Sequence, residues 1–266
     1  MRARPPSLSA RWVAAHRGRL ERTRPSTPGG DVEGERRLYR DVGGTLTVTV
    51  GTPARLAART RVVDAEVARA LGRHTHQVVL LGAGYDGRAL RFGGGPVRWF
   101  EVDLPATQAD KRRRLDALGV APPTGVTYVG FDLGAGDPGA ALDAAGHDPH
   151  QPSLFVCEGL LAWLTLEASA TLCATLGARA PEGSVLVADF LVAPEAGGPA
   201  RALRATADTL LRAVGEPRRH DFRPGDPEKL MVVTGWRVTH SQSSGESLID
   251  RGSHSLVLVC EPAAAR

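Results

Sequence analysis

The chain has 266 residues, enough for one large domain or two small ones, and its 42% hydrophobic content can fill a substantial core. No run of 18 apolar residues is present, which excludes a membrane-spanning helix of ordinary length, and the arginine-rich start lacks the apolar segment of a secretory leader. The net charge of +4 is concentrated in residues 1–40, with ten arginines against four acids; the remainder carries 23 basic and 25 acidic groups, so a broad nucleic-acid-binding face is not expected there.

Residues 1–31 are broken by Pro5-Pro6, Pro25, Pro28 and Gly29-Gly30. They read as mostly irregular and solvated, with a short helix near 10–21. A second helix is expected at 32–40, followed by Thr45–Val50. Thr52-Pro53 is a helix start, with Thr as N-cap and Pro at the first position. Leu56, Val63, Val67 and Leu71 mark an amphipathic helix over 53–72, which also carries Arg59 and Arg61.

Five strands follow, at 77–82, 97–102, 126–131, 153–157 and 184–190. Helices are expected between them at 106–118, 138–145 and 165–179, the last capped by Thr165. The basic run Lys111-Arg112-Arg113-Arg114 reads as a solvated face. Residues 198–214 read as helix, 215–227 as a loop over a site, and a short helix starts near Asp226-Pro227. Two final strands, 236–240 and 255–260, are close enough to pair antiparallel. Strands alternating with helices imply a parallel sheet covered on both faces. Cys157, Cys173 and Cys260 have no metal-ligand spacing and read as buried, reduced thiols of a cytoplasmic protein.

The central segment is QVVLLGAGYDGRALRF, residues 77–92. Its apolar run suits a strand buried on both faces, and Gly82-x-Gly84-x-x-Gly87 matches the loop that brings backbone close to a nucleotide. In open α/β sheets ligands bind beyond the carboxyl ends of the strands. Here those ends carry acids. Asp103 ends the second strand, 21 residues after Gly82, where a carboxylate can accept both hydroxyls of a ribose; Glu101, two residues earlier, shares its strand face and can do the same. Asp132 follows the third strand and can accept from an adenine amino group, with Leu133 beside the ring. Glu158 follows the fourth and can meet an ammonium. Each alone reads equally well as a helix cap. Together, an acidic crown around one glycine loop suits S-adenosyl-L-methionine, with its sulfonium, ammonium and ribose diol, better than NAD.

GAGYDGRALRF, EVDLPATQADKRR, FDL and CEGLLAWLT, in this order, resemble the leucine carboxyl methyltransferase family, and within it an actinobacterial branch of S-adenosyl-L-methionine-dependent methyltransferases; the resemblance covers roughly residues 53–262. It implies the class I methyltransferase fold, a Rossmann-like α/β architecture with a seven-stranded, mostly parallel sheet whose last strand is antiparallel. It also implies cofactor contacts at Arg61 (with Arg59 as the fallback), Gly82, Gly84, Asp103, Asp132, Leu133 and Glu158. Residues 1–50 would form a basic, partly disordered arm and lid, and 51–266 the methyltransferase domain. The expected activity is O-methyl transfer to a carboxylate or hydroxyl of a small molecule of secondary metabolism, without metal, nucleic acid or membrane.

No general base stands out. His220 lies in the expected loop, and Tyr85, Trp163 and Phe222 are candidates for an aromatic pocket. Arg218 and Arg219 either bind an acidic substrate or are solvated. Two rival readings remain: an NAD-dependent oxidoreductase, from the complete glycine pattern, and a cofactor-binding protein without catalysis.

Overall fold

The computed structural model describes residues 6–20, 24–43, 53–121, 124–193, 208–209, 211–213, 215–244 and 254–263. Its centre is strand β1, Gln77–Leu81, buried along its whole length. Val78 and Leu80 pack against helix α3 (Pro53–Gly72) on one face. Val79 and Leu81 face the opposite core, built around Phe155, Leu172 and Phe190. This alternation is why the run has no polar side: both sheet faces are covered.

Strands β2 (Arg98–Asp103) and β3 (Val126–Gly130) extend the sheet in parallel on one side of β1. Strands β4 (Ser153–Cys157) and β5 (Val185–Val192) extend it in parallel on the other. Strand β6 (Trp236–Ser244) and strand β7 (His254–Pro262) complete the order β3-β2-β1-β4-β5-β7-β6. β7 lies between β5 and β6 and runs antiparallel to both, which is the expected seven-stranded arrangement. The direction of winding reverses between β1 and β4, so a crevice opens there at the carboxyl ends of the strands.

The helices fall close to their sequence signals. α5 (Pro105–Ala117) begins at a proline, as a first turn allows. α6 (Gly139–Ala144) lies between β3 and β4. α7 (Leu166–Ala178) is capped by Thr165, whose side chain accepts from the Ala168 N–H at 3.1 Å. α8 (Asp226–Val233) starts after Gly225 in the left-handed conformation. A short helix α4, Arg88–Arg91, follows the glycine loop. Thr45–Val50, the Thr52 cap and most of the helix expected at 198–214 lie outside the described residues.

Two expectations are corrected by packing. The arginine-rich start is not a solvated tail: α1 (Leu8–Arg17) and α2 (Val32–Gly43) pack on each other, and Trp12, Ala14, Leu38 and Tyr39 are buried. The basic run on α5 is not uniformly solvated either. Lys111 is buried and its ammonium meets the Glu101 carboxylate at 2.5 Å. Burial pushes Glu101 up and the Lys111 charge partly opposes it.

Candidate functional site

The glycine loop is shaped by contacts within the protein. Gly82 and Gly84 have φ of +64° and +51°, a region that penalises any Cβ. A Cβ at Gly82 would stand 2.9 Å from Leu160, and one at Gly84 would stand 2.8 Å from the Ala10 Cβ on α1. The loop N–H groups are also engaged. Ala83 donates to the Val102 carbonyl at 3.1 Å and Asp86 to the Ala83 carbonyl at 2.8 Å. Gly84 donates to the Asp103 carboxylate at 2.7 Å, Gly87 to the Tyr39 hydroxyl at 3.0 Å, and Arg88 to Asp86 at 2.8 Å. A diphosphate needs such N–H groups pointing outward at a helix start. Here five of them are used internally, α1 lies on the loop, and the helix that follows has only four residues.

A cavity of about 710 Å³ opens beyond the strand ends, and Gly82, Gly84, Asp103, Asp132, Leu133 and Glu158 all line it. Its size is that of a small-molecule site. Arg61 does not line it: it is exposed. Arg59 lines it instead, because two residues along a helix are about 200° apart and only one of the pair can face the sheet. Of the two acids ending β2, Asp103 reaches the cavity while Glu101 is held by Lys111. Burial raises the Asp103 pKa against the N–H groups of Gly84 and Leu104, which favour its charged form.

Five arginines and five carboxylates form one alternating chain, of which Arg17, Arg59, Asp86, Glu158 and Asp189 line the cavity. Arg24 and Arg91 each bridge Glu35 and Asp64. Arg88 joins Asp64, Asp86 and Glu158 at 2.6–2.7 Å. Arg17 joins Asp86 and Glu158, and Arg59 joins Glu158 and Asp189. Burial works against the Glu158 charge, but Arg17, Arg88 and Arg59 outweigh it and hold the carboxyl well below its usual range. Asp86 is likewise lowered to about 2, burial being overcome by Arg17 and Arg88. Equal numbers of opposite charges make such burial tolerable.

The chain is not fully satisfied. Among the described residues, Arg17 Nε, Arg59 Nη2 and Glu158 Oε2 are buried atoms without an aligned hydrogen-bond partner, although Glu158 Oε2 stands in ion-pair reach of two guanidiniums. All three residues line the cavity. The two donors without a partner, on Arg17 and Arg59, suit the carboxylate of a zwitterion, and the Glu158 carboxylate has the charge that suits its ammonium.

Other sequence candidates separate. Tyr85 and Trp163 line the cavity, as do Arg218 and Arg219. The Tyr85 hydroxyl is held by Asp110 and by Arg11, and burial with the Asp110 bond pushes it up to about 12. Phe222 is fully buried against Phe190, and His220 stacks edge-on to Phe222; neither lines the cavity. Arg218 pairs with Asp208 rather than standing solvated. Sequence reasoning missed Arg17, Asp86, Arg88, Asp189 and Glu216. Only Asp86 and Arg88, inside the glycine segment, carried a local signal. The three cysteines are buried and unbridged, as expected. No helix among the described residues is long and apolar enough to cross a membrane.

The family profile described as leucine carboxyl methyltransferase matches residues 33–177. The chain belongs to that family. Its relatives include candidate S-adenosyl-L-methionine-dependent methyltransferases of actinobacteria. One from Mycobacterium marinum is 39% identical over 143 residues, 53% of this chain and 44% of that protein. One from Streptomyces coelicolor is 35% identical over 200 residues, 67% of this chain and 64% of the relative. The chain thus spans less than two thirds of the length of these relatives, 44% of one and 64% of the other. Two solved structures share the fold at 15% identity. A candidate methyltransferase of Thermobifida fusca YX aligns with a TM-score of 0.61, covering 98% of this chain and 96% of that one. Magnesium protoporphyrin IX methyltransferase of Synechocystis PCC 6803, solved with bound SAH, aligns with a TM-score of 0.52, covering 88% and 95%. This chain therefore has the class I methyltransferase fold expected from the sequence.

Proposed function

We propose that this chain is an S-adenosyl-L-methionine-dependent O-methyltransferase acting on a carboxylate or hydroxyl of a small molecule, in secondary metabolism and in the cytoplasm. The observation that carries the reading is that unpartnered donors of Arg17 and Arg59 line one cavity together with the carboxylates of Glu158 and Asp103. An amino-acid zwitterion and a ribose, joined in one molecule, suit these groups. Asp132 and Leu133, on the same cavity wall, suit the edge of an adenine carried on that ribose. Arg59 thus takes the part that the family resemblance assigned to Arg61. The internally bonded glycine loop weighs against a diphosphate cofactor and hence against an oxidoreductase using NAD.

The cofactor supplies an electrophilic methyl group when bound; the protein orients, desolvates and excludes water. Trp163, Leu160, Leu164 and Leu191 provide apolar wall for an acceptor. A carboxylate acceptor is already ionised. A hydroxyl acceptor needs a base, and the cavity's acids are held by arginines or backbone N–H groups, which favours the carboxylate. Calorimetry with S-adenosyl-L-methionine and with NAD, followed by transfer of labelled methyl to a panel of small acids and phenols, tests the reading. Binding of NAD alone rejects it. Cofactor binding without transfer to any acceptor leaves a binding protein instead of an enzyme.

A further inference from the structure

The first turn of α1 is completed by a residue from the far end of the chain. The first four N–H groups of any helix lack partners within it. Here the N–H of Ser7, the N-cap, donates to the Thr107 hydroxyl at 3.3 Å, and that of Ala10 to the Ser7 side chain at 3.1 Å. The remaining two are taken by one carboxylate. Leu8 N–H meets Glu216 Oε1 at 2.7 Å and Ser9 N–H meets Glu216 Oε2 at 2.9 Å. A carboxylate at a helix N-terminus is also favoured by the helix dipole.

Glu216 is itself anchored. Its segment is bonded to the turn after β4, through the Arg219 N–H to the Ala162 carbonyl at 3.0 Å. It is bonded to the end of β5 through the Ala193 N–H to the Phe222 carbonyl at 2.8 Å. Pro6–Val13 and Gly215–Arg219 all line the cavity. Glu216 therefore ties a wall made by α1 to a wall fixed on the sheet.

We infer that Glu216 is a latch: it holds α1 closed over the cavity and sets how fast a bound ligand escapes. The residue positions α1 and touches no reacting atom. The second half of this statement rests on the cofactor reading above; the first does not. α1 has other ties: the Ser7 N–H to the Thr107 hydroxyl at 3.3 Å, Arg11 to Asp110 at 2.9 Å and Arg17 to Glu158 at 2.8 Å. These stay when Glu216 is lost, so the helix remains docked while the Leu8 and Ser9 N–H groups lose their partners and the first turn loosens.

The test uses the full chain and two substitutions, Glu216→Ala and Glu216→Gln, the latter keeping one acceptor. Backbone hydrogen exchange in the ligand-free protein is read for peptides of α1 and of β1 and β4. The expected result is at least tenfold faster exchange in α1 for Glu216→Ala, a smaller increase for Glu216→Gln, and no change in the strands. With S-adenosyl-L-methionine, dissociation is expected to quicken at least fivefold while association stays within twofold. Unchanged exchange in α1 overturns the latch, and so does faster exchange with unaltered dissociation, which reduces Glu216 to a helix cap. Failure of the unsubstituted protein to bind the nucleoside rejects the cofactor reading, and exchange alone then decides whether α1 is latched.

Discussion

The Arg17 guanidinium stands 2.8 Å from the Glu158 carboxylate, joining the N-terminal helix to the tip of β4. Both side chains are almost wholly buried, and Arg17 also reaches Asp86 at 3.0 Å. The two acids are thereby kept charged next to each other. Arg17→Ala leaves them facing one another with one cation fewer. Breaking a buried pair by removing one partner costs about 3–5 kcal/mol. A loss of that size in denaturant unfolding is expected, whereas a loss under about 1 kcal/mol would mean the pair is effectively solvated.

The same acids set the response to low pH. Asp86 is held at about 2 and Glu158 well below its usual range, while unfolded carboxyls titrate near 4. A depressed folded-state pKa stabilises the fold above the unfolded value and ceases to as pH falls through the folded one. The contribution of Asp86 and Glu158 to the urea midpoint should therefore be lost between about pH 4 and about 2, below the window from about 6.5 to about 4 in which His147, lowered to about 4 chiefly by burial, costs the fold stability as pH falls. A midpoint that stays level between about pH 4 and about 2 would contradict this assignment.

Asp103 accepts from the Gly84 and Leu104 N–H groups and lines the cavity. Asp103→Ala is expected to weaken S-adenosyl-L-methionine binding by about 1–3 kcal/mol, the value of hydrogen bonds to a charged group. Titration calorimetry reads this directly, and unchanged affinity would remove Asp103 from the cofactor site.

Arg59 and Arg61 separate two accounts of the carboxylate contact. Arg59→Ala should weaken cofactor binding at least tenfold, about 1.4 kcal/mol. Arg61→Ala, at an exposed position, should change affinity and stability by less than about 0.5 kcal/mol. The reverse order of effects would restore the assignment made from the sequence.

Gly84→Ala puts a Cβ at φ +51°, 2.8 Å from Ala10. Backbone strain of about 1–3 kcal/mol is expected, together with displacement of α1. Thermal unfolding should show the first, and faster hydrogen exchange confined to α1 the second.

The sequence alone determined the elements and the place of the crevice. Apolar runs of β1, β4 and β5, glycine at the loop, Pro105 and Thr165 at helix starts are short-range signals, and each acts within a few residues. Gly82, Gly84, Asp103, Asp132, Leu133 and Glu158 follow strands directly, so knowing the strands was enough to bring them to one cavity. Tertiary structure alone decided what joins across the chain. Which of Arg59 and Arg61 turns inward depends on how α3 is rotated against the sheet. Arg17 can be buried only because Asp86 and Glu158 arrive from distant segments to offset its desolvation. Glu216 caps a helix 208 residues away. A charged residue read in sequence has no visible partner, and its expected state is solvated; only the folded chain supplies the opposite charge or the idle N–H groups that make burial favourable.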